Sequence, residues 1–203
     1  MPVVKKPQST AGSLLELVLI VAVALGLALG IQKFFVKPYR IPSASMVPTL
    51  EIGQRVLVNR IGHSFSKPAI GDVVVFHPPQ GAEAARCGVV HPPESVCPSA
   101  VPRKDDVNFI KRVVAGPGDR LKVIGGRVYL NGEVTEEPFI EPCEPGGGCN
   151  FPREVTIPAG EYFMMGDNRG SSDDSRFWGP VPDDWIIGGA FATYWPPGRI
   201  GLL

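Results

Sequence analysis

The hydrophobic pattern divides the chain into one long apolar run followed by many short ones. From Leu14 to Ile31 every residue except Glu16 is apolar or small. A stretch without a polar face reads as a membrane helix. At roughly 1.5 Å per residue it rises about 27 Å. Extended through Gln32–Val36 it crosses a hydrocarbon core of about 30 Å, with Lys33 and Lys37 reaching to the interface. This predicts a single transmembrane anchor over 13–36 behind a short N-terminus, 1–12, which is cytoplasmic if the cysteine-bearing part lies outside. The alternative is a cleaved secretory signal, with Lys5 and Lys6 as its basic start and small residues over Ala22–Ala28. Lys5 and Lys6 precede the run and Lys33, Lys37 and Arg40 follow it, so charge leaves the orientation open.

Beyond residue 40 no long stretch keeps a helical period. Short apolar runs alternate with turn residues, which predicts a mainly β, antiparallel, loop-rich domain over 37–203. Strands are expected at Gln54–Asn59, Asp72–Phe76, Val107–Ala115, Arg120–Ile124, Arg127–Leu130, Glu154–Ile157, Glu161–Met165 and Ile186–Tyr194. Gly125-Gly126 and Asn131-Gly132 mark tight turns. A Pro-rich insertion, 77–106, and a loop excursion, 137–152, are expected to lie on the surface.

Composition narrows the classes. Lys and Arg total 20 and Asp and Glu total 20, which leaves no basic footprint for nucleic acid. Gly (24) and Pro (22) are abundant, but an apolar share of 44% is globular. The four cysteines form two local pairs, Cys87 with Cys97 and Cys143 with Cys149. Two disulfides in an oxidising compartment is the natural reading, and it favours the large C-terminal part outside the cytoplasm. Free thiols, or a metal held by Cys87, His91 and Cys97, are the alternatives, although neither pair has Cys-x-x-Cys spacing.

Three segments carry candidate chemistry. Ser45 lies between Pro42 and Pro48, which hold the chain out of a helix and present short hydroxyl side chains from stiff backbone. An ordinary Ser/Pro loop leaving an anchor has the same features. Lys111 and Arg112 sit on opposite faces of an otherwise apolar strand. Arg stays protonated in a protein, whereas a buried Lys gives up its proton, so a base among the two must be Lys111. An edge strand with both cations in water fits the periodicity equally. Gly166–Arg176 is a dense run of small polar residues in which Asp174 and Arg176 can pair. Ser64-Phe65-Ser66-Lys67 matches Ser-x-x-Lys without its companion motifs. His63, His77 and His91 permit a Ser-His-Asp triad on paper but have no motif context.

Taken in order, these segments resemble those of bacterial type I signal peptidases, or leader peptidases. Ser43-Ala44-Ser45-Met46-x-Pro48-Thr49-Leu50 resembles the nucleophile box and Gly71–Phe76 the next one. Lys111-Arg112-Val113 with Gly116-Pro117-Gly118-Asp119 resembles the lysine box. Gly166-Asp167-Asn168-Arg169 through Ser172, Asp174, Ser175 and Arg176 resembles the last. The boxes keep family order over roughly 40–195.

The resemblance implies a membrane-bound serine endopeptidase that removes signal peptides after small residues at the first and third positions before the cut. Ser45 would be the nucleophile, Lys111 the general base, Ser43 an oxyanion donor and Ser172 the residue orienting Lys111. Asp174 and Arg176 would be supporting structure. Ile41, Met46, Leu50, Phe109 and Ile110 match positions lining apolar substrate pockets. The implied partners are signal-peptide-bearing preproteins, the lipid bilayer and the nearby export machinery, with no metal or cofactor. The implied place is the cytoplasmic membrane, single-pass, with the catalytic domain on the extracytoplasmic face. Eight residues separate Val36 from Ser45, at most about 30 Å of chain, which keeps the nucleophile near the bilayer. The 77–106 insertion matches no box and receives no role. The alternatives are a non-enzymatic, membrane-anchored β binding domain, a self-cleaving Ser-Lys repressor-type protease, and a processing peptidase specialised for pilus or conjugation proteins.

Overall fold

The computed structural model describes residues 10–60, 67–143 and 148–203, and within the first helix the side chains of 14–27 and 29–30. The N-terminal residues 1–9 with Lys5 and Lys6, the side chain of Lys33, His63 and the serines of Ser64–Lys67 lie outside the described residues.

The first element is α1 (Thr10–Phe34), 25 residues long, whose side chains from Leu14 to Leu27 are all exposed. Among the described residues no helix is long and apolar enough to cross a membrane. The span expected over 13–36 is therefore not established by the structure.

The rest is mainly β. The strands are β1 (Val36–Arg40), β2 (Arg55–Asn59), β3 (Val73–Phe76), β4 (Phe109–Ala115), β5 (Arg120–Ile124), β6 (Arg127–Leu130), β7 (Glu133–Val134), β8 (Phe151–Thr156), β9 (Glu161–Met165), β10 (Val181–Pro182), β11 (Ile186–Trp195) and β12 (Gly201–Leu202). One turn of helix, α2 (Ser175–Trp178), follows β9. The larger sheet runs β1-β2-β11-β3-β4-β9-β10, with β12 also on β11, and the smaller runs β7-β6-β5-β8. Every strand pairing is antiparallel.

All eight expected strands form, three of them (Arg120–Ile124, Arg127–Leu130 and Glu161–Met165) with the expected bounds and the others with shifted ends. β1 and β8 show why some boundaries were hidden. Each contains a proline, Pro38 or Pro152, which cannot donate to a ladder, and each lies at the edge of its sheet, where proline is tolerated. β8 therefore starts inside the excursion expected over 137–152. The Gly125-Gly126 pair joins β5 to β6 with both φ angles positive (58° and 79°), as a tight right-twisted hairpin requires.

Three apolar clusters hold these layers. Val114, Ala115, Phe163 and Met165 of the large sheet meet Leu121, Val123, Val128 and Phe151 of the small one. Phe76, Val113, Met164 and Trp178 form a second cluster. Ile41, Met46 and Leu50 pack with Val56, Val58, Val73, Val75 and Ile110 in the third. The 77–106 insertion is not simply a surface loop. Ala82, Val96 and Cys97 are buried, and the Cys97 N–H donates to the Arg176 carbonyl at 2.9 Å.

Candidate active site

β4 is an interior strand of the larger sheet, between β3 and β9, so both of its edges are paired, and successive residues along it are buried on both faces. The question left open by periodicity, which cation is buried, is resolved by what each meets. Arg112 finds a carboxylate: its Nε and Nη2 donate to Asp167 at 2.8 and 2.6 Å, and its Nη1 to the Gly71 carbonyl at 2.6 Å. Among the described residues Lys111 finds no direct ionic partner. It is 5% exposed, and its Nζ lies 2.7 Å from the Oγ of Ser45, itself 7% exposed. Desolvation dominates and lowers the Lys111 pKa to about 8, although Asp174 and Asp173 pull it upward. While charged, Nζ donates to Oγ. Once neutral, its lone pair faces the hydroxyl proton.

Three contacts hold Ser45 in place. Met46 and Leu50 sink into the core on either side of the turn that presents it. Asn168 N–H donates to the Ser45 carbonyl at 3.1 Å. Thr49 Oγ1 donates to Asp167, the carboxylate that also takes Arg112, so β4, the serine turn and the loop after β9 share one anchor. Ser43 is exposed, and its hydroxyl donates to Ser45 Oγ at 3.3 Å.

The polar loop after β9 is tied down by buried ion pairs. Asp174 is fully buried and accepts from Arg176 Nε at 2.7 Å, Arg176 Nη2 at 2.9 Å and the Gly166 N–H at 3.1 Å. It also caps α2 through the Arg176 N–H. Burial alone would raise its pKa. The Arg176 charge and hydrogen bonds, the Gly166 N–H and Lys111 together outweigh that and hold it below the ordinary carboxylate value. Arg169 closes the loop from the other side on Glu137, with Nη2 to Oε1 at 2.5 Å. Gly166 is the tight point. A Cβ there would lie 2.3 Å from the Ser45 carbonyl oxygen and 2.3 Å from Ser172 Oγ.

The other expected site residues divide. Ser172 is buried close to the pair, but among the described residues its Oγ has no hydrogen-bond partner, so it does not bond Lys111. Phe109 and Ile110 line a cleft of about 380 Å³ together with Ser43, Ser45 and Lys111. With Ile41 they also line a smaller recess of about 190 Å³. Met46 and Leu50 line neither and belong to the core beneath, because their side chains fill the space under the serine turn. Cleft residues not singled out in the sequence are Pro42, Glu83, Val107, Asn108, Ser171 and Asp173. Pro42 and Asn108 flank motif residues and could have been inferred from adjacency. Glu83 gave no local signal, since it arrives through the insertion.

Cys87 is bonded to Cys97, and Cys143 to Cys149. His91 stands beside the first bridge, but with both sulfurs bonded to each other neither is a thiolate ligand. His77 and His91 each hydrogen-bond a backbone carbonyl, of Val107 and Pro92.

The chain matches the family described as signal peptidase, peptidase S26, over residues 14–195. It is 37% identical over 202 residues to a signal peptidase I of Leptolyngbya laminosa, covering 100% of this chain and 89% of that one. It is 39% identical over 187 residues to a probable signal peptidase I-1 of Synechocystis, covering 89% and 82%. A signal peptidase I of Pseudomonas aeruginosa is 34% identical over 217 residues, covering 88% and 72%.

Proposed function

The chain belongs to the signal peptidase family, peptidase S26, and is a serine endopeptidase; from that premise we propose that it cleaves signal peptides from preproteins with Ser45 as nucleophile and Lys111 as general base. One observation carries the assignment: the buried 2.7 Å contact between Lys111 Nζ and Ser45 Oγ, in surroundings that favour the uncharged amine.

The steps balance without further groups. Neutral Lys111 takes the Ser45 proton while Oγ bonds to the scissile carbonyl carbon. The oxyanion is met by the Ser45 N–H and the Ser43 hydroxyl, and one such donor is worth about 3 kcal/mol. The ammonium then returns its proton to the departing nitrogen, the C–N bond breaks, and the mature protein leaves as an amine. A water gives a proton to Lys111 and attacks the ester. The acyl–Oγ bond then breaks as Lys111 returns that proton to Ser45 Oγ, and the signal peptide leaves as an acid that ionises in solvent. The recesses beside Phe109, Ile110 and Ile41 are small, which fits Ala-sized side chains before the cut.

Anchoring by α1 belongs to the same proposal. Its 25 residues rise about 37 Å, and its exposed leucines and valines need an apolar surrounding. The full chain should stay in the membrane pellet through alkaline carbonate extraction, and release would remove the anchor. The test of function is a preprotein with an Ala-x-Ala site incubated with detergent-solubilised protein. A single cut after the last Ala is the expected result, and an intact preprotein defeats the proposal.

Two outcomes follow from the geometry. kcat/KM should rise tenfold per pH unit below about 8 and level off above, because only neutral Lys111 accepts the proton. A profile flat from pH 6 to 9 would count against Lys111 as the base. Gly166→Ala should lower kcat by roughly 100-fold, since its Cβ must push the Ser45 backbone out of line. Single-turnover cleavage checks this, and wild-type rates would show that the turn can yield.

A further inference from the structure

Two carboxylates face the reactive cleft without being part of the pair. Glu83 reaches it from the Pro-rich insertion and Asp173 from the loop after β9. Each is mounted on fixed backbone. Ala82, beside Glu83, is buried against the cluster of Phe76 and Trp178. The turn is closed by Ala84 N–H to the Gly81 carbonyl at 3.0 Å and Ala85 N–H to the Ala82 carbonyl at 3.0 Å. Asp173 stands between two buried residues, Ser172 and Asp174, while its own side chain is exposed.

Neither carboxylate has a hydrogen-bond or ion-pair partner among the described residues. Among the described residues that line the cleft, Lys111 is the one cation, and it must be neutral to act. In its working form the cleft therefore holds two negative charges, next to the apolar walls of Phe109 and Ile110. Such walls keep field lines in the cleft.

We propose that Glu83 and Asp173 form an acidic rim that selects substrates carrying a lysine or arginine side chain within a few residues of the scissile bond. The inference rests on the peptidase reading above and gives the insertion a role in substrate choice. A cation there finds unpaired carboxylates, and a substrate carboxylate is repelled. Each exposed pair changes an equilibrium by up to roughly fivefold, so the two together should separate Lys from Glu substrates by about tenfold at low salt.

The test uses the detergent-solubilised full chain and peptides with one Ala-x-Ala site. Each flanking position, from the fourth before the cut to the second after it, is varied in turn as Lys, Gln or Glu. The readout is the Lys-to-Glu ratio of kcat/KM within each enzyme, so any change in overall rate cancels. We expect about tenfold at one or more positions. The ratio should approach one in the Glu83→Gln, Asp173→Asn double variant and in 1 M salt, with each single variant losing part of it. A ratio near one at every position, or one unchanged in the double variant, overturns the acidic rim while cleavage of the Gln peptides leaves the peptidase reading standing. Failure to cut any Gln peptide overturns both.

Discussion

Replacing Lys111 with methionine is expected to lower kcat/KM for a preprotein by about 10²–10⁴-fold, the range over which a positioned general base contributes. Ser45→Ala should cost at least as much, and the double variant should be no slower than the slower single, because the two groups act as one unit. The choice of methionine matters. Lys111 is buried on an interior strand, and an unbranched apolar side chain fills the same channel without a charge to desolvate. Replacing a buried charge with an apolar group of similar volume is often neutral or stabilising. The variant should therefore melt at or above the wild-type temperature while losing activity. Equal loss of both would mean that the fold had been damaged and the base left untested, so Ser45→Ala, which removes a single oxygen, serves as the second reading. Full activity in both variants would end the Ser-Lys assignment.

Asp174→Ala should destabilise the domain by roughly 3–5 kcal/mol, the cost of breaking a buried ion pair by removing one partner. At about 2–4 °C per kcal/mol for a chain of this size, melting should fall by about 10 °C. Arg176 is 1% exposed and would lose both side-chain bonds to the carboxylate. Among the described residues it would keep the Ser172 and Gly148 carbonyls and the face of Phe177. The Gly166 N–H would also lose its acceptor, next to the Ser45 carbonyl. Removing Arg176 as well should recover part of the loss, since the uncompensated charge goes with it. The pH sign agrees. The Asp174 pKa lies below its ordinary 3.8, so the contribution is present above that value and is lost as pH falls through the lowered one. Thermal melts of the two single variants and the double decide the point, and a shift under 2 °C for Asp174→Ala would refute the account.

Much of the site was legible because its chemistry is local. Ser45 between two prolines, Lys111 in an apolar strand and the polar run ending in Arg176 are each contiguous, and their order along the chain pointed to the family. Lys111 and Ser45 stand 66 residues apart in sequence, and resemblance alone paired them. Six of the strands followed alternation and turn residues almost to the residue. Expectation failed where position in a sheet overrides local preference. Pro38 and Pro152 argue against strands, yet both sit on edges where a missing N–H costs no ladder bond.

The chain's own sequence determined the apolar segment, the β class, the turns and which residue types could act as nucleophile and base, because these depend on periodicity and on intrinsic pKa. Tertiary structure alone decided that Lys111 is desolvated while Arg112 is paired, since both lie on largely apolar strand faces and only the neighbouring Asp167 separates their fates. It also decided that Met46 and Leu50 are core, that Ser172 Oγ stands without a partner among the described residues, and that Glu83 reaches the cleft. Each of these depends on contacts between segments far apart in sequence, where burial and pairing, and not residue type, set the energy.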